Sequence, residues 1–224
     1  MFCSVPKQFM FLHAPKTGGS TFSHLLRQAF ASAGDHNKPR RGPRQMHLPV
    51  EHFKQMIEVN KHMKFHTIAR NPWDRLVSMY YFFFARESNS NMTDADNIAA
   101  FRKWVRETIK PHKYVDVPAM TDRNVATSFI DTVNPVNGPK SIWSYITIDG
   151  ECVVSDYIRF EHLERDICDF FEAYQLTKPV DIPRHARSSR PDIPVWDMYD
   201  QECVDIVGDI FSSDVSHFGY KFGN

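Results

Sequence analysis

Phe9-Met10-Phe11-Leu12-His13-Ala14-Pro15-Lys16-Thr17-Gly18-Gly19-Ser20-Thr21-Phe22 is the stretch on which the fold turns. Phe9 to Leu12 is a short apolar run that stops at Pro15 to Gly19, after which Phe22, Leu25, Leu26, Ala29 and Phe30 recur at helical spacing. The pattern predicts strand, glycine loop, helix. The helix is expected to begin near Ser20 or Thr21, either of which can cap it, and to end before Gly34. At such a junction the first-turn N–H groups have no intrahelical acceptor, and the positive end of the helix dipole points at the same place. That place suits an anion. Gly18 and Gly19 let the backbone approach a phosphate closely, Lys16 adds a mobile positive charge, and the Ser20 and Thr21 hydroxyls complete the cage.

Working outward, the same unit recurs. Phe65 to Ala69 predicts a second strand that runs into Arg70-Asn71-Pro72. Trp73, Leu76, Val77, Tyr80 and Phe84 then mark an amphipathic helix with Pro72 in its first turn. Between the two units, Asp35 to Arg44 carries Lys38, Arg40, Arg41 and Arg44 among prolines and a glycine, which predicts a basic loop. Pro49 suits the start of a short helix in which Val50, Phe53 and Ile57 share a face. Another helix is expected over 94–110, with Ile98, Phe101, Val105 and Ile109 inward, and irregular chain from there to about Lys140. Ser144 to Ile148 and Val153 to Phe160 read as strands around an Asp149-Gly150 hairpin turn. Two helices close the chain, one with Leu163, Ile167, Phe170, Phe171 and Tyr174 on its apolar face, the last burying Cys203, Ile206, Val207, Ile210 and Phe211. Strands alternating with helices imply an α/β protein with a mainly parallel central sheet flanked by helices.

Composition sets the outer bounds. The chain has 224 residues, a length routine for one α/β domain, and residues 1–224 are expected to form a single domain. Hydrophobic residues are 42% and charged residues 24%, which excludes a disordered or fibrous class. Lys plus Arg and Asp plus Glu number 27 each, so no global charge recruits nucleic acid or an anionic membrane, and an anion site has to be local. The start has no signal-peptide pattern and no apolar run reaches the ~18 residues of a membrane span, so the cytoplasm is the expected compartment. The four cysteines, Cys3, Cys152, Cys168 and Cys203, show no metal-ligand spacing and are too sparse for a disulfide scaffold.

Lysine order disfavours one chemistry. A kinase P-loop places its lysine after the second glycine with a hydroxyl beside it for magnesium, whereas Lys16 precedes both glycines. A lysine ahead of the loop can reach a bridging oxygen instead, which suits a transferred group of low charge that needs no metal shield. In the second unit Arg75 and Ser78 lie three apart on the polar face of the predicted helix, where a guanidinium and a hydroxyl can share one phosphate.

Together, His13 to Thr21 and Ala69-Arg70-Asn71-Pro72-Trp73-Asp74-Arg75-Leu76-Val77-Ser78-Met79-Tyr80-Tyr81 resemble the two nucleotide motifs of the sulfotransferases that use 3'-phosphoadenosine 5'-phosphosulfate (PAPS). The resemblance extends to Ile158 through Asp166, to His185-Ala186-Arg187-Ser188-Ser189 and to Phe218-Gly219-Tyr220-Lys221-Phe222. These segments are typical of the carbohydrate branch that includes heparan sulfate 2-O-sulfotransferases, chondroitin sulfotransferases and bacterial relatives. It implies a P-loop-like sulfotransferase fold, PAPS as sulfuryl donor, adenosine 3',5'-bisphosphate as the other product, and no metal.

Carried over by residue, the resemblance implies that Lys16 stabilises the departing phosphate and that Thr17, Gly18, Gly19, Ser20 and Thr21 hold the 5'-phosphosulfate. Arg70 and Ser78 hold the 3'-phosphate, which separates PAPS from ATP. Arg187 and Ser188, with Ser189, close over the nucleotide, although relatives commonly have Asn where Arg187 stands. His47, before Leu48-Pro49, matches the histidine that many relatives use as base, and its ordinary pKa suits proton abstraction near neutral pH. Glu51 is the reserve base. Gln45 stands where cytosolic relatives often carry a lysine, so positive charge at the sulfuryl group has to come from Lys16, Arg44 or elsewhere. His13 reads as a strand-end residue of the loop, and Trp73 belongs to the helix's apolar stripe rather than to adenine.

The resemblance implies a hydroxyl-bearing acceptor, with a glycan favoured. The basic loop before His47 is either its entrance or a solvated surface, and the sequence weighs these equally. Two other classes stay open: a nucleotide-dependent kinase, for which Asp149 is the only weak metal ligand, and a non-catalytic PAPS-binding module.

Overall fold

A computed structural model describes residues 2–4, 7–32, 50–83, 92–110, 140–182 and 191–224. The chain divides into two compact units, 1–70 with 144–187 and 71–143 with 188–224.

The first unit holds the central sheet. β1 (Phe2–Ser4), β2 (Phe9–Phe11) and β3 (Lys64–Ala69) are joined by β6 (Asp156–Arg159) in the order β1-β2-β3-β6. β2, β3 and β6 run parallel, with Phe11 opposite His66 and Ala69 opposite Arg159, and β1 is an antiparallel edge the sequence reading did not include. β2 is continued by bonds from the Leu12 N–H to the His66 carbonyl (2.8 Å) and from the Thr67 hydroxyl to the Leu12 carbonyl (2.9 Å). Side chains alternate across the pleat, so Phe9, Phe11, Ile68 and Ile158 share one face. Against it pack Phe22, Leu25, Leu26 and Phe30 of α1 (Gly19–Ser32) and Ile167, Phe170 and Phe171 of a later helix, Leu163–Ala173. The other face, with Met10, Phe65, Thr67 and Ala69, is buried as well. Strands buried on both sides explain why they read as apolar runs without alternation.

His66 belongs to the packed face. Its Nε2 lies 2.6 Å from the Tyr174 hydroxyl, and its ring meets the Phe170 ring edge-on at 5.0 Å. Burial lowers its pKa from the usual 6.5 to about 4, outweighing the opposing charge of Asp156. After the basic loop, the predicted short helix is a 3₁₀ turn, Val50–Phe53, followed by α2 (Lys54–Val59). The Asp149-Gly150 turn is present, joining β4 (Thr147–Ile148) to β5 (Glu151–Cys152), with both residues at positive φ (51° and 83°), as a two-residue hairpin requires.

The second unit is helical: α3 (Pro72–Phe83), α4 (Asp94–Trp104), α7 (Gln201–Ile210) and α8 (Ser212–Phe218). Thr93 and Asp96 form a capping box that starts α4, and the helix widens into a π turn over Val105–Ile109. Asn97 takes the inward position expected of Ile98, its amide donating to the Thr93 carbonyl (3.0 Å). Trp73 is in the core, as expected: its indole N–H donates to the Val204 carbonyl (3.1 Å), and its ring lies 3.3 Å from where a Cβ on Gly208 would stand.

Two expectations are corrected here. The segment from Ser144 to Ile146, expected as strand, belongs to a short helix α5 (Ile142–Ile146), and the cause lies some seventy residues away. Asp214 accepts the N–H groups of Ile142 (2.8 Å) and Trp143 (2.7 Å), a cap delivered by tertiary structure that local β-propensity cannot anticipate. The same carboxylate corrects the polar-face reading of Arg75, which is 1% exposed, sits 4.0 Å from Asp214 and donates to the Lys140 carbonyl (2.8 Å). Burial raises the Asp214 pKa to about 6 despite these partners. Phe84 lies outside the described residues. Among the described residues no helix is long and apolar enough to cross a membrane.

Candidate functional site

Three neighbouring parallel strands end on the same side of the sheet, and their ends bring the site together. β2 runs out into His13 to Gly18, β3 ends at Ala69 just before Arg70, and β6 ends at Arg159 just before Phe160, the first residue of a 3₁₀ turn leading into α6 (Leu163–Ala173). In open α/β sheets the carboxyl ends of the strands are where ligands bind.

The loop is shaped from below. Thr17 is wholly buried and its hydroxyl donates back to the Ala14 carbonyl (2.9 Å). Lys16 adopts a left-handed backbone (φ 62°), a conformation that costs a non-glycine residue about 1–2 kcal/mol and so has to be held by its surroundings. Arg70 supplies one hold, its Nη1 donating to the Lys16 carbonyl at 2.8 Å. Gly18 has φ 89° and lies against Phe160, whose ring is 3.1 Å from where a Cβ would be. At Gly19 there is no room at all, since a Cβ would stand 2.1 Å from His13 Cδ2. His13 is therefore the packing partner of the glycine, 4% exposed and stacked on Phe11 with ring centroids 5.9 Å apart.

α1 starts at Gly19, one or two residues ahead of the expected caps, and its first helical bond runs from the Phe22 N–H to the Gly18 carbonyl (3.3 Å). The N–H groups before Phe22 thus precede the helical ladder. Between His13 and Phe22 there is no carboxylate, only Lys16, hydroxyls and backbone N–H groups, with Arg70 beside them. A turn with no Cβ at Gly18 and Gly19, a helix start and a set of donors that are cationic or neutral fit a phosphate-type ligand.

Of the residues singled out in the sequence, Lys16, Thr17, Gly18, Gly19, Ser20, Thr21 and Arg70 come together in the first unit. Ser78 lies on α3 of the second unit, buried. Glu51 is in the 3₁₀ turn before α2. His47, Arg187, Ser188 and the basic residues Lys38, Arg40, Arg41 and Arg44 lie outside the described residues. Phe160, expected at the end of a strand from Val153, instead opens the 3₁₀ turn and meets the loop, a role its residue type and spacing do not announce. The signal is its place directly after a strand parallel to the one that precedes Arg70, a relation visible only once the strand order is known.

Strand ends, glycine cradle and donor set make an α/β protein whose loop suits a phosphorylated ligand. The model of the Sulfotransferase family matches residues 1–221, and the chain belongs to this family of PAPS-dependent enzymes. No curated protein and no solved structure matches it.

Proposed function

We propose that this enzyme moves the sulfuryl group of PAPS to a hydroxyl of a carbohydrate acceptor, leaving adenosine 3',5'-bisphosphate, and that 1–224 works as one sulfotransferase domain. The observation that carries the reading is the loop from His13 to Thr21, where two glycines, a helix start and Lys16 converge at the carboxyl ends of parallel strands. A family match running through both compact units supports it.

When bound, PAPS supplies an activated sulfuryl group on its 5'-phosphate. The chain's residues have separate tasks around it. Backbone N–H groups of Thr17 to Thr21, with the Ser20 and Thr21 hydroxyls, hold the 5'-phosphosulfate. Lys16 offsets the negative charge that grows on the departing phosphate, the kind of preorganised electrostatic help that counts most in catalysis. Arg70 and Ser78 hold the 3'-phosphate, and Arg187 and Ser188 close over the nucleotide. His47 takes the proton of the acceptor hydroxyl, with Glu51 as the alternative base. Cytoplasmic action on a soluble glycan or other small hydroxyl compound completes the proposal.

The test is transfer of labelled sulfate from PAPS to a panel of glycans. Lys16→Ala is expected to lower turnover by about 10²-fold or more while nucleotide affinity falls less. Wild-type turnover in that variant removes Lys16 from the mechanism; binding of PAPS without transfer to any acceptor would favour a binding module, and preference for ATP a kinase.

A further inference from the structure

Arg70 is the residue whose surroundings exceed the task given to it. Its guanidinium carbon lies 3.9 Å from the centroid of the Phe160 ring while its Nη1 donates to the Lys16 carbonyl, and the residue is only 8% exposed. The same Phe160 ring also touches the Gly18 position, at 3.1 and 3.2 Å from the place of a Cβ, so it meets both Arg70 and the turn that Arg70 holds. The turn that carries the ring is tied at its start, where the Arg159 N–H donates to the Asp166 carboxylate (2.8 Å). A guanidinium on an aromatic face in a largely desolvated place is a strong form of cation–π contact.

We propose that Phe160 is a positioning residue for the anion loop: its ring seats Arg70, Arg70 holds the Lys16 carbonyl, and the three strand ends thereby form a latch that sets where Lys16 and the loop N–H groups point. This rests on the reading of that loop as the 5'-phosphosulfate site. It also changes what Arg70 does. Besides contacting the 3'-phosphate, Arg70 shapes the 5' end, so removing it weakens ligands that lack a 3'-phosphate as well.

The experiment uses the whole chain with Phe160→Leu, which keeps an apolar side chain without a π face, and Phe160→Tyr, which restores the face. Hydrogen exchange of the Thr17 to Ser20 amides is followed without ligand, with β2 and β3 amides as the internal control. Affinity is then measured for inorganic pyrophosphate, which has neither base nor 3'-phosphate, and for adenosine 3',5'-bisphosphate. The expected result is exchange about tenfold faster in the loop alone for Phe160→Leu, pyrophosphate affinity weaker by about tenfold, and return of both in Phe160→Tyr. Loop exchange and pyrophosphate affinity that stay at wild-type values in Phe160→Leu overturn the latch, as does exchange that rises equally in loop and strands. Failure of the parent reading has a different mark, a wild-type protein that binds neither ligand, and the exchange comparison still decides the latch in that case.

Discussion

Replacing Gly19 by alanine adds one carbon in the tightest spot of the site. The new Cβ would stand 2.1 Å from His13 Cδ2 and 2.4 Å from its Nε2, whereas carbon atoms in contact settle near 3.5–4.0 Å, so about 1.4 Å of separation has to be found. The His13 ring is buried and stacked on Phe11, which itself meets the Phe22 ring of α1 at 4.7 Å, so neither neighbour yields easily. Overpacking of this kind costs about 1–3 kcal/mol, and an overlap of this size belongs at the upper end. If the loop moves instead of the ring, the donors leave their positions, and a misplacement near 1 Å lowers turnover by about 10²-fold. The measurement is urea denaturation and calorimetric titration with adenosine 3',5'-bisphosphate for Gly19→Ala, His13→Ala and the double variant. Trimming His13 makes room, so the double variant is expected to be more stable than the sum of the two single losses by about 2 kcal/mol, and to recover ligand affinity. Strict additivity, or a Gly19→Ala protein with wild-type stability and affinity, would refute the packing argument.

His47→Ala is expected to keep the fold and nucleotide affinity but to lose about 10²–10⁴-fold in turnover, together with the histidine limb of the pH profile; Glu51→Gln active and His47→Ala inactive is the supporting pattern, and the reverse makes the glutamate the base. His66 titrates at about 4 when folded and near 6.5 when unfolded, so the unfolded chain binds more protons between those values and stability rises with pH across that window. His66→Phe is expected to remove that rise, about 3 kcal/mol between pH 4 and 7 in the difference from wild type; an unchanged difference across that range shows that burial does not lower the pKa. Asp214 acts with opposite sign, because its folded pKa of about 6 lies above the ordinary 3.8 and its contribution declines as pH rises from about 4 to 6. Asp214→Ala leaves Arg75 buried without this carboxylate and uncaps α5, so a loss of about 3–5 kcal/mol in denaturation is expected, and a loss below about 1 kcal/mol would show the pair to be dispensable.

The anion loop was legible in the residues because everything that makes it is local. A strand end, two glycines and a helical apolar stripe lie within about twenty positions, and chain geometry alone converges the donors there. The Asp149-Gly150 hairpin and the faces of α1 and α6 were legible for the same reason, since period and turn chemistry are properties of neighbouring residues. What tertiary structure decided involves partners far apart in the chain. Asp214 made a helix of a segment whose residues favour a strand, and took Arg75 from an expected polar face into the core. Strand order put Phe160 beside Arg70 and Gly18, about ninety and a hundred and forty residues distant in sequence. The need for glycine at position 19 came from a histidine six residues earlier, through a side-chain approach that no spacing rule encodes. Local pattern sets which backbone groups face a ligand. Which side chains hold them in place depends on long-range packing, where one methyl group of space is the deciding quantity.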